Sequence, residues 1–581
     1  MKPKRIIGIT AMVAAFSLPV RAQQEQIVLS LTGAADMEDL DGSEMARFDR
    51  YLWQPLRINQ ASRSRLLASG LLTPYQVSAL LDYRATDGDI LSVAELALVD
   101  GFGTETARLL APFLSFVSLR NPGETDSGLR RTRQELTLRG AVRETGPGGT
   151  GSMDAAGSWG GRYRINRDGR WELALSGRAL YDDKEKFPPS GRSAYVARYG
   201  RRYLGQLIVG SYNARFGQGL TLWNGFSMGG IASPQAAYRR PSGLSPSWSY
   251  AGTNLHGVAA DFNVGRWTLS AFGALPGDGW AGGGLKVLRP EGPCLTGINA
   301  AWFGRHGQVS STWVREGDRL HKLAVDGRFC LRGADLFAEG SRDWTADRFA
   351  FVAGAVVPAG DRSRSFLVVR SYPTGFTADR TGAVRSGSKV TDENGVALGF
   401  SRGGTTFALD GAWHPSKAEG QAKLILSDVR SLGGNWTLRS RVSERWRSRA
   451  PRNRTDVRAD LQYVSGPWTV TGRVNGVYGN KLGWLGYAEA GWREGPWFLW
   501  LRGTVFRIDD WEDRIYAYER DAPGNFTVPA FYGRGVYGSC YGGWKGRRWK
   551  CWLRASVLHY PWMAEKKPGK AELKLQLSRE W

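Results

Sequence analysis

Arg215, Gln218, Arg239 and Arg240 are the side chains whose types and spacing best suit holding something. They sit in a densely aromatic stretch, from Tyr212 to Trp223 and on through Tyr238 to Trp248 and Tyr250. Guanidinium and amide groups at that density are donors to an anionic group. A loop this long and aromatic is poorly suited to water, so it is expected to fold into a lumen or pack on an outer partner. The plain alternative is a strand extension with an ordinary structured loop. Catalysis has no comparable constellation. The five histidines (His256, His306, His321, His414, His559) are scattered without metal spacing, and no serine-elbow pattern occurs. The chain is expected to be no enzyme and to need no cofactor or metal.

The elements that would position such a loop announce themselves by a recurring tryptophan. Trp171, Trp267, Trp436, Trp468 and Trp497 each follow a glycine-bearing tight turn and open an alternating segment, and Trp549 stands after the turn at Lys545-Gly546. Behind Trp468, Val470, Gly472, Val474, Gly476 and Tyr478 share one face, against Thr469, Thr471, Arg473 and Asn475. Strand side chains alternate sides, so one face is apolar with a ring at each end and the other is polar. Amphipathic rings settle at lipid–water interfaces, which predicts a transmembrane β-barrel with these tryptophans as its periplasmic girdle. Segments of this kind run from Thr132 to the end and number about 24, with a plausible range of 22–26. Short connections alternate with long ones, the long ones near 144–156, 183–190, 214–251, 276–293, 373–393 and 508–533. The last strand ends on Trp581, which resembles the recognition signal of the outer-membrane barrel-assembly machinery. Inward positions include Arg178, Arg473, Arg502 and Arg554, an anion-favouring interior.

Cysteine usage is sparse. Pairing 544 with 547 would set Cys540 opposite Cys551, giving either a cross-strand disulfide or two neighbouring lipid-facing thiols; Cys294 and Cys330 have no evident partner.

Ahead of the barrel, Lys2, Lys4 and Arg5 precede an apolar run from Ile6 to Val20, with small residues at cleavage spacing. Residues 1–22 therefore look like a secretory signal peptide, too short to span as a helix. Residues 23–122 form a separate domain with helices near 44–53, 61–69, 74–85, 92–98 and 104–111. Asn59 leads into the second, Thr73-Pro74 opens the third, and Ser92 reaches Glu95 as a capping box. Residues 123–130 are a linker and 131–581 the barrel. Charge divides along the same line: residues 23–127 hold 15 Asp and Glu against 8 Arg, a net of −7, inside a chain of net +24.

The helical part resembles the helix-hairpin-helix fold of competence-type DNA-binding proteins. The match lies in Ile58-Asn59-Gln60-Ala61-Ser62, a first hairpin at Ser69-Gly70-Leu71-Leu72-Thr73, and a second at Val99-Asp100-Gly101-Phe102-Gly103. Such hairpins aim backbone N–H groups of the glycine turn at a phosphate. Here the Gly-hydrophobic-Gly turn is intact only at Gly101-Phe102-Gly103. Thr104-Glu105-Thr106 stands where a phosphate binder carries bases, and the net negative charge opposes DNA. A protein-docking or plug-like module is the better reading, and nucleic acid is disfavoured as a partner. The combination with a large barrel resembles a family of uncharacterised bacterial outer-membrane proteins carrying helix-hairpin-helix repeats ahead of the barrel, which supplies architecture and no settled activity.

The sequence thus predicts a mainly β chain in the outer membrane of a Gram-negative bacterium, with a small all-α domain in the periplasm. Its surroundings would be outer-membrane lipid and lipopolysaccharide, the assembly machinery during biogenesis, and a periplasmic or outer-membrane protein partner. The first functional reading is a conduit or an assembly/export component for a bulky anionic substrate. DNA uptake is the second, and a structural anchor or outer-membrane enzyme the third.

Overall fold

The computed structural model describes residues 20–40, 42–118, 132–146, 154–167, 169–184, 187, 189–200, 203–227, 229–249, 254–276, 292–360, 363–449, 453–563 and 568–581. The expected signal peptide and the expected linker fall almost wholly outside these residues.

The alternation in the sequence becomes a closed antiparallel barrel of 24 long strands. They run from Thr132–Thr145 to Lys570–Glu580, and these two pair along a seam from Lys570↔Thr145 to Glu580↔Glu135. Closure leaves no open sheet edge, the condition a lipid environment sets on strands. Connections at one end are two to four residues long, as at 265–266 and 466–467. Gly466 takes the first place of such a two-residue turn at φ +54°, ahead of Pro467, a backbone hand that suits the twist of a hairpin. At the other end the long connections include 216–254, 373–392 and 509–532, while most of the expected connection at 276–293 lies outside the described residues.

The exterior is apolar. Large apolar side chains alternate outward along the long strands, as Leu499, Leu501 and Val505 do on Trp497–Ile508. Trp171, Trp267, Trp436, Trp468, Trp497 and Trp549 all stand exposed at the short-turn end. A second set, Trp344, Trp413, Trp446 and Trp484, is exposed toward the opposite end. Trp581 is exposed as well, and its backbone exchanges two hydrogen bonds with Gln134 at the seam.

One register differs from the sequence expectation. Lys545 pairs with Lys550 across a four-residue connection, so Cys540 faces Ala555 and Cys551 faces Trp544. The longer connection lets the Trp544 ring lie against Gly546, where a side chain would have no room. All four cysteines are free thiols.

The N-terminal part forms six helices: α1 (Val20–Thr32), α2 (Gly42–Trp53), α3 (Arg63–Ala68), α4 (Pro74–Thr86), α5 (Val93–Leu98) and α6 (Gly103–Leu110). Helix α1 has no counterpart in the sequence expectation, which began the helical period near residue 44. Thr73 caps α4 with a reciprocal capping box to Gln76, and Ser92 caps α5. The cap of α3 is Ser62, one turn from the expected Asn59. Asn59 is instead buried and bonds both backbone groups of Ile90, at 2.8 and 2.9 Å. The helices share an apolar core of their own around Phe48, Ile58, Leu66, Leu72, Leu80, Leu96 and Phe113, to which the barrel wall adds only Ala301 and Phe303 among fully buried residues.

Candidate functional site in the barrel lumen

A 24-stranded cylinder is too wide for inward side chains to fill, so whatever occupies the lumen decides what the molecule can do. From the short-turn end, the helical domain occupies the mouth. Arg63 donates to the carbonyls of Gly265 (2.9 Å) and Trp267 (3.2 Å), Arg65 donates to that of Gly169, and Ser78 donates to that of Gly304 (2.9 Å). These acceptors belong to short turns or strand starts, where carbonyls lack ladder partners. Deeper in, Arg50 pairs with Glu172 at 2.5 Å beneath Tyr195 and Tyr199, and the opposing carboxylate holds its guanidinium charged despite burial.

The acidic segment after α1 crosses to the opposite wall. Asp36 pairs with Arg441 and, at 3.1 Å, with Arg458. Glu38 meets Arg458 at 3.2 Å and Arg473 at 2.7 Å, and accepts the Tyr518 N–H at 2.8 Å. Burial alone would raise the Glu38 carboxyl, but Arg458 and Arg473 outweigh it and hold the group well below the ordinary carboxylate range. On α1, Glu25 pairs with Arg520 at 2.6 Å. This strap escaped the sequence reading, although its signal was printed there: four acids within residues 36–41 in a chain with a strongly basic remainder.

From the long-loop end, three connections fold inward. Residues 216–249 form the first, and the aromatic loop thus enters the lumen. Arg215 ends its strand with Nε donating to the Asn224 carbonyl (2.7 Å) and Nη1 at 3.6 Å from Glu44 of α2. Gln218 is buried; its N–H donates to Glu339 at 2.5 Å and its side-chain carbonyl accepts the Arg239 N–H at 2.8 Å. Arg239 donates to the Gly382 carbonyl at 2.8 Å, and burial together with Arg385 lowers its guanidinium to about 9. Arg240 is lowered too, by burial first and then beside Arg328 and Arg47. The structure therefore joins Gln218 to Arg239 in a scaffold that holds the loop to its neighbours, and leaves only Arg215 of the four lining a large cavity.

The inward arginines are mostly answered by carboxylates. Arg473 pairs with Glu38 and Asp460, Arg502 with Glu489 at 2.5 Å, and Arg554 with Glu519 and, at 2.9 Å, Glu572. Arg178 faces the cavity near the long-loop rim, and its buried Nε has no hydrogen-bond partner.

The two hairpin turns differ. Gly70, at φ +62°, is buried under Arg47, whereas Gly101 (φ +81°) and Gly103 (φ +65°) are exposed. A phosphate could reach only the second, which Asp100 and Glu105 flank. Three of the five histidines take structural places: His256 bonds Ser211 at 3.0 Å, His321 packs between Trp313 and Trp344, and His414 bonds the Asp392 carbonyl at 2.8 Å.

Among the described residues, cavities remain between the stopper and the wall, and two of them are lined by charged groups. One, of about 880 Å³, lies among α2, the strands Thr132–Thr145 and Trp171–Ala179, and residues 521–527. The other, of about 770 Å³, lies over the acidic strap beside Arg441, Arg445, Arg454 and Arg458. Phe526 borders both.

No protein-family model matches the sequence, and no curated protein does. Among solved structures, the chain is similar to the P pilus usher (PapC) translocation pore, at TM-score 0.37 and 11% identity over 77% of this chain and 99% of that one. A chain of the E. coli P pilus tip assembly intermediate PapC-PapD-PapK-PapG matches at TM-score 0.45 and 12% identity, over 81% of this chain and 63% of that one. Pseudomonas aeruginosa OpdQ matches at 0.28 and 10%, over 78% and 97%. Likeness of this degree is one of barrel architecture and says nothing of cargo. The chemistry must come from the lumen itself.

Proposed function

We propose that this protein is an outer-membrane conduit for a bulky anionic substrate, closed at rest by its own N-terminal helical domain. An apolar exterior between two sets of exposed tryptophans supports the membrane setting. The reading rests on one observation above all. The helical domain supplies nearly all of its own apolar core, with Ala301 and Phe303 of the wall and Tyr518 and Phe526 of residues 509–532 packed on it, while ion pairs and hydrogen bonds tie the rest of its surface to the wall. Such a body can leave the mouth without unfolding, because it exposes charged and hydrogen-bonding surface rather than a severed core. The face it turns toward the short-turn end, taken as periplasmic, would be the docking surface for a partner that pulls it free.

Planar-bilayer recording tests this. The full chain should be silent or carry brief small events, whereas a chain lacking residues 23–118 should show large, long-lived steps with anion preference. A full chain that conducts as freely as the deleted one sinks the proposal.

A further inference from the structure

We infer that the 880 Å³ cavity is a binding site for an acidic oligosaccharide, whose anionic groups meet Arg178 and whose hydroxyls meet the unpartnered Trp552 and Asn213. The inference rests on the reading of the lumen as an anion path and names the substrate class. The cavity is within the range that small-ligand sites occupy, roughly 300–1,000 Å³.

Its wall carries nine arginines and lysines against four Asp and Glu. Three of those acids are already engaged: Glu44 by Arg47, Asp521 by Lys574, and Glu572 by Arg143, Arg554 and Lys574. A surplus of positive charge is left for a ligand.

The buried polar atoms on this wall that have no hydrogen-bond partner include Arg178 Nε, Trp552 Nε1 and Asn213 Oδ1. Trp552 is only 4% exposed, so its indole N–H has been taken from water without compensation. Buried groups of this kind call for an explanation, and a bound ligand provides one. The set contains donors and an acceptor together. A simple anion satisfies donors only, whereas a sugar acid both accepts, through carboxylate, and donates, through hydroxyls. Ser242, Ser245, Asn525 and Gln576 add further hydroxyl and amide groups to the same wall.

Aromatic rings are present, and guanidinium groups already cover Tyr181 and Trp248. Arg143 lies 4.0 Å from the Tyr181 ring centre, and Arg162 and Arg164 lie 5.4 and 4.6 Å from that of Trp248. A nucleobase would have to displace those cations to stack, which favours sugar over nucleic acid.

The test uses intact, detergent-solubilised protein and titration calorimetry, so it does not depend on the conduit opening. A guluronate hexamer should bind with an affinity that falls as salt rises, and a maltose-series neutral hexamer should bind at least about tenfold more weakly. Arg178→Gln with Trp552→Phe should weaken the acidic hexamer about tenfold or more, while the heat-modifiable gel shift of the folded barrel stays unchanged. Equal binding of the neutral sugar, no binding of the acidic one, or binding indifferent to both substitutions overturns the site. Tighter binding of a thymidylate hexamer overturns the ligand class in favour of nucleic acid. A conduit that opens as proposed but shows none of this binding separates the two claims.

Discussion

The lumen has two unlike sides. From Ala334–Asp343 to Thr405–His414 the wall turns Phe337, Ala350, Val352, Val356, Phe366 and Val368 inward. The loops fold onto it with Leu220, Ile231, Tyr238, Phe376, Val384 and Val390. That side also holds the buried Arg370 between Glu393 and Asp410. From Trp436–Arg447 round to Thr132–Thr145 arginines and carboxylates of the wall are answered by the strap and residues 509–532, beside a smaller apolar cluster of Val477, Leu485, Phe506, Ile508, Ile515 and Phe531. Apolar area released to water has no substitute partner, so the first side stays shut. An ion pair can exchange one anion for another, so the second side is where a passing polyanion could replace Asp36 and Glu38. In the proposed conduit, the difference puts the path along the charged wall.

The comparison can be broken most severely on the apolar side. Val356→Asp buries a carboxylate between its strand partners Phe366 and Asp335, which should cost several kcal/mol and abolish the heat-modifiable band of the folded barrel. On the charged side, Glu38→Gln leaves Arg458 and Arg473 short of one partner. That should cost up to about 3 kcal/mol and speed protease cleavage between α1 and α2, with the barrel intact. Unchanged cleavage would detach the strap from the gating role. Acid should act similarly. Because Glu38 is held below its unfolded value of about 4.3, its contribution is complete above that pH and fades as pH falls toward the folded value. Acidification below about pH 4 should therefore raise the frequency of conductance events, and Glu38→Gln should blunt that rise. The smallest effect is expected in the helical domain alone. Gly101→Ala sets a Cβ 2.7 Å from the Tyr75 ring at φ +81°, costing about 1–3 kcal/mol there without altering barrel stability.

Much of the barrel was legible because its signal is local. A period of two, a glycine turn and a following tryptophan recur within each hairpin, and they gave the strand number and the side facing out. The pairing at Cys540 was misjudged because a turn of four residues and one of two look alike in sequence, and the difference shifts every partner beyond it. For the lumen, composition showed that 214–251 avoids water, yet nothing local couples Gln218 to Glu339 or Arg239 to Gly382. Those are contacts between strands and loops far apart in the chain. The acid-rich strap was visible as charge, but its partners Arg441, Arg458 and Arg473 lie some 400 residues away.

The seam between Lys570–Glu580 and Thr132–Thr145 bears on the order of construction. It joins the two strands most distant along the polypeptide, so its ladder carries the greatest closure entropy and completes the circle last. The helices stand ahead of the first of these strands in the chain and lodge in the mouth that the seam completes. A seam that forms last lets the staves be raised around the bung, like a cask coopered about its own stopper.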